Sequence, residues 1–204
     1  MTTNEFNKEY YLMNIDGASN HPLLSWGKTD YDLFVYSNPI NSTDLEIPLQ
    51  VKFRKPYPKK TEIADLLFLG SNFAVSEKFK LLFEKINIYG IQFFPVEIET
   101  DKKKKITGYY ALHSWNGIPA IDKNKYVGDD IDENGMILDV EKFSLDTNVL
   151  EAIPLEKRMV FHLAETYDKK ILVHQSVHDA IKAENLTGMR FFRVDEWDDD
   201  AMFR

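Results

Sequence analysis

The residues best spaced for chemistry lie in "DIDENGMILDVE", residues 130 to 141. Their pattern, D-x-D-x-N-G-x-x-x-x-x-E, satisfies the calcium loop of an EF-hand without a mismatch. Asp130, Asp132 and Asn134 would offer side-chain oxygens, Gly135 the sharp turn, Met136 its carbonyl and Glu141 a closing bidentate carboxylate. An EF-hand also needs a helix entering the loop. The approach "NGIPAIDKNKYVGD" carries Gly117, Pro119 and Gly128, which break a helix. Asn134-Gly135 is instead the preferred pair for a two-residue type I′ hairpin turn. A turn is therefore the expected structure here. The alternative is a calcium-responsive binding module using residues 130–141.

Two further groupings could do chemistry. His174 and His178 stand four apart, so on a helix they would share one face and could ligate zinc. No third ligand sits at a telling spacing, and packed or exposed histidines are the expected reading. His113 and Ser114 resemble a nucleophile pair only by adjacency. There is no G-x-S-x-G elbow, phosphate-binding glycine loop or H-E-x-x-H. With no cysteine in the chain, thiolate metal sites, disulfides and a cysteine nucleophile are excluded. No catalytic residue, metal or cofactor is called for.

Acidic clustering is the stronger signal. Asp129, Asp130, Asp132 and Glu133 form one run; Asp195, Glu196, Asp198, Asp199 and Asp200 form another around Trp197. These ten residues are the candidate contact surface for a basic partner, with Trp197 either an aromatic anchor or a cover over the core. The formal net charge of −8 argues against nucleic acid, whose binders neutralise phosphates with a basic face. The lone basic run, Lys102 to Lys105, lies between two strand-like segments and reads as a solvated hairpin loop.

The elements that must position these residues show a pattern of their own. In "FAVSEKFKLLFEKINIYGIQFFPVEI", residues 73 to 98, a short strand leads to Ser76, a good N-cap. Phe79, Leu82, Phe83 and Ile86 then form one helical stripe, Asn87 ends the helix in a left-handed conformation, and Gly90 opens a strand. "ILVHQSVHDAIKAENLTGMRFFRVDE", residues 171 to 196, aligns with it without a gap, residue 73 matching residue 171 at an offset of 98. Val75, Asn87, Gly90, Phe93, Phe94 and Val96 match Val173, Asn185, Gly188, Phe191, Phe192 and Val194. The chain is expected to contain a duplicated strand–helix–strand unit.

Strands are expected beside each unit, in "TGYYALHS" and "RMVFHLAE", and earlier in "YDLFVYS" and "LEIPLQVKF". Pro95 favours a bulge or an edge in its strand, and the prolines of "KPYPKK" make a stiff connection. The fold class is α+β: mixed sheets with short helices. The 204 residues divide into a β-rich segment, 1–55, and a domain, 56–204, packed as one body. Neither a secretory signal nor an apolar run of the ~20 residues a membrane helix needs is evident, so a cytoplasmic, soluble protein is expected.

Four motifs in this order, Val75–Ser76, "GIQFFPVEI", "GYYAL" and "LTGMRF", resemble a bacterial immunity-protein family of polymorphic toxin systems. It is the immunity protein eleven group, described as the myxobacterial-type immunity domain, and the likeness covers about residues 56 to 194. The resemblance implies a protein that binds and neutralises a cognate toxin domain by stoichiometric complex formation, without catalysis. One departure is His174 where Ser76 stands in the first unit; a histidine caps poorly, so that helix start is expected to be held differently.

Overall fold

A computed structural model describes residues 4–17, 20–27, 33, 36–55 and 63–203. The N-terminal part supplies a helical turn, α1 (Phe6–Glu9), and strands β1 (Tyr10–Ile15), β2 (Leu24–Trp26) and β3 (Leu49–Phe53). Within the expected strand at 31–37, residues 31, 32, 34 and 35 lie outside the described residues, as do 56–60 of the proline-rich connection. Next come β4 (Leu66–Leu69), β5 (Asn72–Ser76), α2 (Glu77–Ile86), β6 (Ile91–Glu99) and β7 (Lys105–Ser114). The class is α+β.

The local physics of this stretch follows the sequence closely. Ser76 Oγ accepts the Phe79 amide at 3.2 Å, an N-cap contact that stabilises such a helix by about 1 kcal/mol. Phe79, Leu82 and Phe83 are buried, while Leu81 points to solvent. Asn87 ends the helix at φ 60°. Gly90 follows at φ 79°, where an added Cβ would lie 2.2 Å from that of Asn116, so only glycine fits. The hairpin from β6 to β7 turns at Lys103, φ 58°, through the basic run.

Strands β2, β3, β6, β7, β5 and β4 close into a six-stranded barrel, sealed by the parallel pair Leu24–Leu69. Its interior takes alternate residues of each strand: Leu67 and Leu69, Ala74, Phe94, Val96 and Ile98, Ala111. Pro95 sits on β6 where β7 is its neighbour, before β3 joins at Val96, and a bulge follows between Val96 and Ile98. Both the edge and the bulge that Pro95 favours are thus present.

The chain then runs through β8 (Gly117–Ile118), β9 (Val127–Gly128), β10 (Val140–Lys142), α3 (Thr147–Glu151), α4 (Leu155–Arg158) and β11 (Val160–Leu163). It ends with β12 (Ile171–His174), α5 (Gln175–Ala183), β13 (Met189–Arg193) and a 3-10 helix, Asp199–Phe203. A second, five-stranded sheet has the order β13-β1-β12-β11-β8. The first three strands are thus built into both bodies: β1 between β13 and β12 in this sheet, β2 and β3 in the barrel wall.

Register ties the two sheets together. Phe73, Ala74, Val75 and Ser76 of β5 stand opposite Leu112, Ala111, Tyr110 and Tyr109 of β7. Ile171, Leu172, Val173 and His174 of β12 stand opposite Met13, Leu12, Tyr11 and Tyr10 of β1 in the same steps. On its other side β7 pairs Phe93 with Leu112, as β1 pairs Phe191 with Met13. The strand that follows β6 directly in the barrel is matched, in the second sheet, by a strand from the start of the chain.

Apolar side chains form three layers. The barrel interior is one. The second lies between barrel and sheet, where Phe79, Phe83 and Val75 meet Val173, Val177, Ile181 and Met13. The third covers the far face of the sheet, with Leu12, Phe161 and Leu172 packed under Ile137, Val140, Phe143, Leu150 and Trp197.

Candidate interaction surface

The residues of the calcium-like pattern form the end of a two-stranded ribbon. β9 and β10 pair antiparallel, the Asp129 amide donates to the Asp139 carbonyl at 3.0 Å, and Ile131 bridges Ile137. The Asp132 amide donates to the Met136 carbonyl at 2.9 Å and the Gly135 amide to the Asp132 carbonyl at 3.0 Å. Gly135 has φ 80°, whereas Asn134 is not among the residues with positive φ. A type I′ turn needs both central residues at positive φ. The turn is therefore a three-residue loop closed by a left-handed glycine, and the expected two-residue type I′ turn is corrected.

Asp132 decides that geometry. Its Oδ1 accepts the amides of Asn134 at 2.8 Å and Met136 at 2.9 Å, a local turn that competes with the type I′ alternative. Its Oδ2 accepts the Tyr167 hydroxyl at 2.7 Å. These bonds hold the Asp132 carboxyl below the usual range, the Tyr167 hydroxyl foremost, and push the Tyr167 phenol up. The elements entering and leaving the loop are strands, and the carboxylate faces protein donors. This is a hairpin end rather than an EF-hand.

The ribbon is fixed to the core along one side. Ile137 and Val140 are buried; the Ile137 amide donates to the Glu165 carbonyl at 2.8 Å and the Tyr167 amide to the Ile137 carbonyl at 3.2 Å. The Glu165 side chain is itself buried and accepts the Ile121 amide at 2.5 Å. Burial pushes its carboxyl pKa up.

What the ribbon leaves outside is unusual. Val127, Ile131, Leu138 and neighbouring Tyr167 are all exposed, Leu138 most of all at 68 %. Asp129, Asp130, Glu133, Asp139 and Glu141 are exposed on the same ribbon. Single exposed apolar residues are ordinary, but here three fall on one short element, with Tyr167 beside it. Residue type gave no sign of the apolar half, because Ile131 and Leu138 read as well for a core strand as for a surface.

The second acidic run divides. Arg193 bonds Asp195 at 2.6 and 3.3 Å and Glu196 at 2.6 Å, so part of that charge is compensated. Asp198 is half-buried; Asp199 and Asp200 are exposed at the start of the 3-10 helix, which packs on β10. The partner of β10 is β9, which leads into Asp129. Trp197 must be taken off the contact surface. It is 1 % exposed, packs on Phe143 with ring centroids 5.2 Å apart, and lies under the Lys170 ammonium. It covers the core, the other of its two expected roles.

The histidines do not converge. His174 precedes α5 and its Nδ1 accepts the Ser176 amide at 3.2 Å, so the histidine itself caps the helix, from one residue nearer than Ser76 does. His178 stacks on Tyr11 at 4.3 Å. His113 bonds the Asn38 carbonyl at 3.0 Å through Nε2, not Ser114. Among the described residues no helix is long and apolar enough to cross a membrane. No curated protein matches the chain. Residues 39–196 match the model of an immunity protein family (Imm11), more than half of the sequence, and the chain belongs to that family.

Proposed function

We propose that this immunity protein protects its cell by binding a cognate toxin domain in a stoichiometric complex, without catalysis of its own. Family membership carries the general role. The surface we assign to it is the ribbon of residues 127–142 with Tyr167, bordered by Asp198, Asp199 and Asp200. The observation that carries this assignment is the joint exposure of Val127, Ile131, Leu138 and Tyr167 among Asp129, Asp130 and Glu133 on an element anchored by Ile137. Apolar area removed from water supplies affinity at about 25 cal/mol per Å² before association costs, and surrounding acids select a basic partner. The setting is a polymorphic toxin system, and the site of action the cytoplasm. We read the common register of β5–β7–β6 and β12–β1–β13 as an internal duplication, with the last strand of the second copy carried at the start of the chain.

The test uses the toxin domain encoded beside this protein. Size-exclusion chromatography with light scattering should give a complex of fixed stoichiometry, and co-expression should restore growth. The double variant Ile131→Asp with Leu138→Asp should lose both while melting like the parent. A folded double variant that binds and protects fully would move the contact surface elsewhere. Protection without any complex would overturn the binding role.

A further inference from the structure

A second polar feature lies away from this surface, inside the protein. Where the barrel meets the five-stranded sheet, a small and mainly apolar cavity also has Asn72 of β5, His113 and Ser114 of β7, His162 of β11 and Lys169 on its wall. Three of these residues carry a buried side-chain atom with no hydrogen-bond partner among the described residues: Asn72 Oδ1, Ser114 Oγ and His162 Nδ1. Asn72 and His162 are 1 % and 3 % exposed. Leaving such a group unsatisfied costs about 1–3 kcal/mol, so three orphans together are the mark of a missing partner.

The cavity itself narrows what that partner is. Its volume is about 10 Å³, at the lower edge of the ~10–15 Å³ a cavity needs to hold one water. Burial lowers the His162 pKa to about 4, so the ring is neutral near pH 7 and its unpartnered Nδ1 can serve as an acceptor. Asn72 Oδ1 is a second acceptor, and the Ser114 hydroxyl both donates and accepts. Two inward lone pairs repel an anion. Burial first, and the Lys169 ammonium after it, hold both His162 and His113 below the usual imidazole range, and that ammonium repels a cation. The occupant is neutral, donates twice, accepts once and is the size of one water.

We infer that this cavity is a built site for a single structural water, which donates to His162 Nδ1 and Asn72 Oδ1 and accepts from Ser114 Oγ. The water joins two strands of the barrel to one of the sheet. It fixes their relative register with directional bonds where apolar packing alone would tolerate sliding.

Two measurements test this. An atomic-resolution crystal structure should show one spherical peak about 2.6–3.2 Å from all three atoms, with no anomalous signal at transition-metal edges. Ser114→Thr adds a methyl group to a space that holds nothing larger than a water. Displacing the water would orphan His162 and Asn72, so the variant should melt several degrees below the parent. An empty cavity would instead be filled by the methyl and the variant would melt higher. A higher melting temperature, an empty cavity in the crystal or an anomalous peak there would each overturn the assignment.

Discussion

The Tyr167 hydroxyl donates a 2.7 Å hydrogen bond to Asp132 Oδ2, joining the turn between β11 and β12 to the tip of the acidic ribbon. Tyr167 is exposed and Asp132 half-buried, and their bond matters for orientation more than for global stability. Tyr167→Phe removes the bond and keeps the ring. The melting temperature should stay within a degree of the parent, while hydrogen exchange at the Met136 and Gly135 amides speeds up. Affinity for the toxin domain should fall several-fold. Unchanged exchange at both amides would show that the backbone bonds alone hold the tip.

Trp197→Ala should act on folding and not on recognition. The ring is buried against Phe143 and beneath Lys170, and truncating a buried tryptophan typically costs about 3–5 kcal/mol. Urea denaturation should therefore show a midpoint far below the parent. A variant as stable as the parent would mean that Trp197 is not part of the core in solution.

Acidification probes the seam between the two bodies. Burial, with Lys169 nearby, lowers the pKa of His162 from 6.5 to about 4. The unfolded chain then takes up a proton that the folded chain refuses, so the stability is fully present above pH 6.5 and lost as pH falls toward 4. By pH 5 the loss relative to high pH is about 2 kcal/mol, from 1.36 kcal/mol per pH unit below the unfolded pKa. His113 and His174, both held low by burial, act in the same direction. Glu165, pushed up by burial, acts in the opposite one. Unfolding free energies measured from pH 7 to 5 should fall, and fall less in His162→Leu. Equal slopes in parent and variant would remove His162 as the cause.

These groups also show how much the sequence could tell. Ser76, Asn87 and Gly90 act through bonds to near neighbours, so the helix, its cap and its stop were legible from residue types alone. His174 was legible as a change of cap, although not that its own Nδ1 would take over the role. The partner of β12 was not legible, because β1 lies some 160 residues away and strand pairing is settled by packing on both faces. One local sign existed: Tyr10–Tyr11 of β1 repeats Tyr109–Tyr110 of β7, and the two pairs hold equivalent places. Asn134–Gly135 misled because the Asp132 side chain, two and three residues before them, offered a competing turn. Acids on the ribbon could be read from composition. The exposed face of Leu138 could not, since burial is a property of the fold.

The acidic ribbon should reveal itself in the kinetics of association. Exposed charges at a contact surface steer encounter, whereas apolar contacts made after docking mainly slow release. Asp129, Asp130 and Glu133 are exposed, while Asp195 and Glu196 share their charge with Arg193. Neutralising the first three to Asn, Asn and Gln should lower the on-rate about tenfold at low salt and flatten its salt dependence. The same treatment of Asp195 and Glu196 should have a smaller effect, because it removes two charges rather than three and they lie outside the ribbon. Leu138→Ala should leave the on-rate alone and raise the off-rate several-fold. Stopped-flow binding with the purified toxin domain, repeated across salt concentrations, separates the two contributions. Since screening at 0.15 M salt acts beyond about 8 Å, a steered on-rate must fall steeply as salt is added. A parent on-rate indifferent to salt would sink the steering role of the ribbon, and an unchanged off-rate in Leu138→Ala would take that side chain out of the interface.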